Sequence, residues 1–165
     1  QFDAHADTGT GPNFQHGTMF KIAADAKTID PRKSIQIGLR TPSESKLGFE
    51  IISAPEALLQ SPKSISYKIS SIVGKSPCYI TVDIDCLDPS QAPGTGTPVP
   101  GGLTTINLLE IIRALDGYQL NVVGFDLVEV APDYDHAQIT SLAASQICIE
   151  ILCLLANRNN LSKVL

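Results

Sequence analysis

No run of lysine or arginine interrupts this chain of 165 residues, and its formal net charge is −5. That excludes the electrostatic footprint of a nucleic-acid binder or a membrane-surface patch. No apolar stretch reaches the ~18 uninterrupted residues that span a bilayer. The longest, Ile147 to Ala156, carries Glu150 and reads as a buried helix. No CxxC pair occurs among the four cysteines, Cys78, Cys86, Cys148 and Cys153. Each stands among apolar residues, so packed, reduced thiols in a reducing compartment are expected, rather than zinc ligands or disulfides. Internal repeats and low-complexity segments are absent. An initiator methionine is absent too: the chain opens on Gln1-Phe2-Asp3, which looks like the tail of a buried strand. We expect the C-terminal part of a longer protein, so the lack of a signal peptide carries no information and a cytoplasmic location stays an expectation.

What is present is a globular composition, 43% hydrophobic and 18% charged, with enough length for one domain and a real core. The pattern predicts a short helix over 17–26, a strand over 34–39, a second over 49–52, and a helical turn from Pro55 to Leu59 that Pro62 interrupts. Ile65, Ile69, Ile72 and Val73 fall on one helical face. A central strand, 78–84, follows. Residues 86–103 hold four prolines and four glycines, a composition that suits a stiff active-site loop. An amphipathic helix over 104–115, a buried strand over 121–128 ending at Glu129, a loop over 130–137 and a last helix from Ile139 complete the series. Residues 1–157 are expected to form part of a single domain and 158–165 a polar tail. Alternating strands and helices predict a three-layer α/β/α sandwich around a mostly parallel sheet. Acid-rich or Gly/Pro-rich loops follow the carboxyl ends of the strands, the edge where open α/β sheets hold ligands.

Two clusters stand out. The apolar run Tyr79 to Val82 leads into Asp83, Asp85 and Asp88. The other cluster is Asp3-Ala4-His5-Ala6-Asp7. Turn and cap roles would explain either cluster alone, but both follow apolar strands at period-2 spacing. In a straight strand Asp3, His5 and Asp7 share one side, as do Asp83 and Asp85. Four carboxylates and an imidazole carry too much charge for one zinc. They suit two divalent cations, with Mn²⁺ the best match and Fe²⁺, Co²⁺, Ni²⁺ or Zn²⁺ open. Two such ions, ~3.5–4 Å apart, lower the pKa of a shared water towards neutrality. Asp88 is out of register and precedes Pro89, so it is assigned to backbone N–H groups of the loop and not to metal. Arg40 is expected at most to pair with an acid.

Five segments in order carry a resemblance: Asp3-Ala4-His5-Ala6-Asp7, His16-Gly17-Thr18-Met19-Phe20, Asp83 to Pro89, Ala92 to Pro98, and Glu129-Val130-Ala131-Pro132. They resemble the ureohydrolase (arginase/agmatinase) family across nearly the whole chain. The segments 16–20, 37–41 and 128–135 are most similar to its agmatinases. The resemblance implies an arginase-like fold lacking its N-terminal part and two manganese ions per active site. It implies hydrolysis of a small guanidino compound, foremost agmatine to putrescine and urea in polyamine biosynthesis. It implies Asp3 and Asp83 as bridging ligands, His5 and Asp85 on one ion, and Asp7 on the other. A further histidine, in an upstream Gly-Gly-Asp-His motif, is not in this sequence. His16 is implied as a proton shuttle and Glu129 as the acceptor of the guanidinium; His136 is assigned a structural role. The short loop 8–15 offers few donors for an α-carboxylate, which favours agmatine. Guanidinobutyrate, guanidinopropionate or arginine remain alternatives, as does a catalytically silent half-chain. Ala6, Asp133 and Gln138 depart from frequent family residues, and none is an implied ligand. A homo-oligomer, trimer or hexamer, completes the expectation, with no nucleic-acid or membrane partner.

Overall fold

The computed structural model describes residues 1–11, 14–42 and 47–158. Among the described residues four parallel strands are present: β1 Ile35–Leu39, β2 Glu50–Ser53, β3 Pro77–Asp83 and β4 Asn121–Val128. β1 pairs with β2 and β3 pairs with β4. Phe2 joins the two pairs through parallel bridges to Ile37 and Val82. Its N–H donates to Thr81 O at 3.0 Å, and its carbonyl accepts from Asp83 N–H at 2.8 Å. Across the other edge Asp3 N–H donates to Ile37 O at 3.0 Å. The first three residues thus lie mid-sheet, in the order β2, β1, residues 1–3, β3, β4. Both acid clusters leave neighbouring positions at the same carboxyl edge.

The helices are α1 Met19–Asp25, α2 Ala54–Leu59, α3 Pro62–Val73, α4 Thr105–Leu115 and α5 Ile139–Arg158. Their ends follow from local chemistry. Ser53 and Glu56 close a capping box on α2, and Thr104 and Asn107 close another on α4. Pro62, expected to interrupt a helix, instead starts one: it fills the first turn of α3, where a missing N–H costs nothing, after Ser61 as cap. α3 packs on α4 and α4 on α5. Ile65, Ile69, Leu108, Ile112, Ile147 and Ile151 share one buried core with the sheet. Ser66 is accommodated there because its hydroxyl donates to Pro62 O and Ile111 O.

Some expectations need correction. α1 is short and buries none of its residues, so its helical spacing of apolar side chains marks no core face. Ile35, Ile37 and Leu39 alternate with Gln36 and Gly38, the pattern of a half-buried strand, yet all five residues of β1 are buried. Gln36 tolerates this by donating to Gln1 Oε1 and Ala6 O. The cysteines are free thiols, but only Cys86 is fully buried and Cys153 is exposed. Residues 139–157 of α5 are long and apolar enough to cross a bilayer. Here the helix packs as a core element, burying Ala143, Ile147, Ile151 and Leu154, while Glu150 pairs with Arg113 of α4. Most of the expected tail, and the loop residues 12–13 and 43–46, lie outside the described residues.

Candidate metal centre

The site grows from the end of β3. Asp83 is the last strand residue, and its carboxylate accepts from Asp85 N–H at 2.9 Å, capping a single 3₁₀ turn, Ile84–Cys86. That turn, not strand alternation, aims Asp85. One Asp85 oxygen accepts from Ala4 N–H at 3.0 Å, and the other lies 2.9 Å from His5 Nδ1. The first cluster is bent in the same way. Asp3 Oδ1 accepts from His5 N–H at 2.6 Å, and Asp3 Oδ2 accepts from Gln1 Nε2 at 2.6 Å. His5 Nδ1 stands 3.5 Å from Asp3 Oδ1. The straight-strand picture of period-2 ligands is therefore replaced by two turns that meet.

Asp3, His5 and Asp85 each offer a ligand atom, all within 4.8 Å of one another. Asp83 and Asp7 are outside this tight trio but inside its field. Burial, then the charges of Asp3 and Asp85, push the Asp83 carboxyl up to about 9. Burial, then Asp3, push Asp7 up to about 7; Asp85 and Glu129 add to this, and His5 opposes it. Asp3 is raised by burial, against its hydrogen bond with His5. His5 is itself raised, chiefly by that bond to Asp3. The carboxyls of Asp3, Asp7 and Asp83 are held up by lost water and by their neighbours' charge. Such a cluster must hold protons or cations. Carboxylate oxygens with one imidazole nitrogen form a donor set that suits a divalent ion of the manganese type.

Around this group stand the other candidates. Asp7 and Glu129 both adopt left-handed backbone, at φ 51° and 64°. That conformation is uncommon outside glycine. Glu129 follows β4, and a Cβ on Gly96 would come within 3.8 Å of its Oε2, so it borders the Gly/Pro loop. That loop is docked by an antiparallel bridge between Thr95 and Val130. His16 is exposed in the turn before α1, outside the trio, and His136 is exposed in the loop before α5. Asp88 accepts from Ser90, Gly101 and Gly102 N–H groups, as a loop residue should. One contributor, Thr97, carries no assignment from the sequence, and the expectation for Arg40 is corrected. Thr97 donates to Asp85 Oδ2 at 3.3 Å from within the Gly/Pro loop. Arg40 bonds backbone carbonyls and not an acid. A threonine between two turn residues gives no signal of the acid it faces until the loop is folded.

The model of the arginase family matches residues 1–154. The chain belongs to the arginase family. Among its arginase-family relatives, an agmatinase of Chromobacterium violaceum is 48% identical over 160 residues, covering 95% of this chain and 49% of that protein. A crystal structure of a hypothetical agmatinase from Burkholderia thailandensis superposes with a TM-score of 0.92 at 45% identity, over 96% of this chain and 51% of that one. The proclavaminate amidino hydrolase of Streptomyces clavuligerus gives 0.88 at 39%, over 94% and 55%. The chain thus spans about half the length of the relatives it matches. The expected α/β fold with parallel strands is that of this arginase family.

Proposed function

We propose that the protein hydrolyses agmatine to putrescine and urea at a pair of manganese ions held by Asp3, His5, Asp7, Asp83 and Asp85. The observation that carries this reading is the convergence of Asp3, His5 and Asp85 within 4.8 Å at the carboxyl edge of the sheet. The names of the relatives near 50% identity support agmatine over other guanidino compounds. When bound, the cation pair supplies the positive charge that brings the pKa of a water towards neutrality. The chain's own residues do the rest. The buried carboxylates of Asp3 and Asp83 would hold the cations, and burial strengthens their field. Glu129 accepts the planar N–H fork of the guanidinium, which a carboxylate matches in shape and charge. His16, exposed in the turn before α1, is assigned the passing of a proton to the departing amine. Thr97 holds the Asp85 carboxylate in orientation from the Gly/Pro loop.

A trimer or hexamer and a place in polyamine synthesis belong to the same reading. Leu142, Ile149 and Leu152, exposed along α5, offer apolar area for contact between copies. One observation favours a second substrate: the proclavaminate amidino hydrolase is 39% identical, with 94% of this chain covered. The deciding assay is urea release by the intact protein with Mn²⁺, comparing agmatine, arginine and guanidinobutyrate. Agmatine should be turned over fastest, with loss on chelation. Faster release from either other compound overturns the substrate, and no release from any of them overturns the hydrolase.

A further inference from the structure

Arg40 directly follows β1, and both acid clusters meet on it. Its backbone N–H donates to Ala4 O at 3.0 Å, between Asp3 and His5. Its side chain reaches the other way. Nη2 donates to Asp85 O at 2.6 Å and to Leu87 O at 3.1 Å, and Nη1 to Gly38 O at 3.0 Å. Nε and Nη2 both donate to Val99 O, at 2.9 and 2.6 Å. A weaker bond runs from Nη1 to Cys86 O at 3.4 Å. One side chain therefore gathers carbonyls from β1, from the turn carrying Asp85, and from the Gly/Pro loop.

The need for it is physical. A 3₁₀ turn ending at Cys86 leaves carbonyls without intrahelical partners. Those of Asp85 and Leu87 are buried, and a buried carbonyl left unpaired costs ~1–3 kcal/mol. The guanidinium carries five N–H donors in a fixed plane, whereas an ammonium offers three from one point. One glycine makes room for it, and another lets β1 pass close to Asp3. Gly38, at φ 99°, carries the register shift in β1, and a Cβ there would lie 3.0 Å from Asp3 O. A Cβ on Gly102 would lie 2.7 Å from Arg40 Nη2 and 2.5 Å from Asp88 N.

We propose that Arg40 is a positioning residue of the metal centre. By clamping the carbonyls of Asp85, Leu87 and Val99 while its own N–H holds Ala4, it sets the two ligand clusters and the Gly/Pro loop in register. This rests on the metal-site reading above and adds a residue that touches neither ion nor substrate.

The test uses the intact protein with Arg40→Lys, Gly102→Ala and, as a reference, Asp85→Asn. Mn²⁺ affinity is measured by titration, and amide hydrogen exchange is followed by segment. Arg40→Lys should weaken Mn²⁺ binding about 10- to 100-fold, as loss of a supporting partner does. Exchange should speed up at residues 85–88 and 99–103, with α3 and α4 unchanged. Gly102→Ala, which keeps Arg40 but displaces the loop, should show the same local signature if the lysine variant fails to fold. Wild-type affinity and exchange in both variants overturn the proposal, as does a uniform loss of protection across the whole fold. Asp85→Asn separates the two ideas. If it loses metal while Arg40→Lys does not, the clamp is wrong and the metal site stands. If it keeps two manganese ions, the metal reading is wrong, and exchange alone still decides the clamp.

Discussion

Asp88→Asn separates the third acid of the β3 cluster from the two assigned to metal. Asp88 Oδ1 accepts from Ser90 N–H at 3.0 Å and Ser90 Oγ at 2.7 Å; Oδ2 accepts from Gly101 N–H at 2.7 Å and Gly102 N–H at 3.2 Å. The carboxylate ties the start of the Gly/Pro loop to its end. These bonds, the Ser90 hydroxyl first, hold its pKa down at about 2. Asparagine keeps one acceptor and turns an NH₂ towards donors. Hydrogen bonds to a charged group contribute ~1.5–3 kcal/mol each when well shielded. Asp88 is half-buried and still reached by solvent, which screens the charge. We therefore expect a loss of about 1–2 kcal/mol in all, or roughly 2–8 °C in Tm for a domain of this size. A depressed carboxyl stabilises above its ordinary 3.8 and loses that contribution as pH falls towards 2. The penalty should therefore shrink when the comparison is repeated at pH 3. Calorimetry at both pH values, with manganese counted per chain, is the assay. An unchanged Tm at neutral pH, or loss of manganese, refutes the loop assignment.

In the metal-free protein Asp7 and Asp83 hold protons up to about 7 and about 9, against an ordinary 3.8. The folded state then binds more protons than the unfolded one between pH 4 and 9. Stability is full below that window and is lost as pH rises through it. The Tm of the metal-free protein should fall from pH 5 to pH 8 and recover with excess Mn²⁺; a flat or rising metal-free Tm contradicts this. Gly94→Ala should destabilise by about 1–3 kcal/mol through overpacking. A Cβ there would fall 2.7 Å from Asp135 Cβ and 2.8 Å from its Cα, at the residue whose carboxylate accepts from Thr140 and Ser141 at the start of α5. Wild-type melting of Gly94→Ala would show that the loop is not docked there.

The strands and the later helices were legible because their causes are local. The apolar spacing over 104–115 and from Ile139 announces helices, and the apolar runs of 78–84 and 121–128 announce buried strands. The roles of Pro62 and Gln36 were less so. Pro62 reads as a breaker until the preceding serine is seen to cap, and Gln36 reads as solvent-facing until Gln1 and Ala6 are seen to satisfy it. At the site, residue types and spacing marked Asp3, His5, Asp83 and Asp85, but not how they meet. Asp85 reaches the trio through a 3₁₀ turn that Asp83 itself caps, a geometry that period-2 counting misses. Arg40 and Thr97 were hidden for a different reason. Apart from Gly38, the carbonyls that the Arg40 side chain binds lie 45 or more residues away, the Thr97 partner lies 12 away, and a carbonyl acceptor leaves no mark in the sequence.

Anomalous diffraction at the manganese edge, on crystals of the intact protein, tests the two-metal site most directly. Two peaks ~3.5–4 Å apart are expected, flanked by the carboxylates of Asp3 and Asp83, with His5 and Asp85 on one ion and Asp7 on the other. A single peak, or none after equilibration with Mn²⁺, would contradict the site.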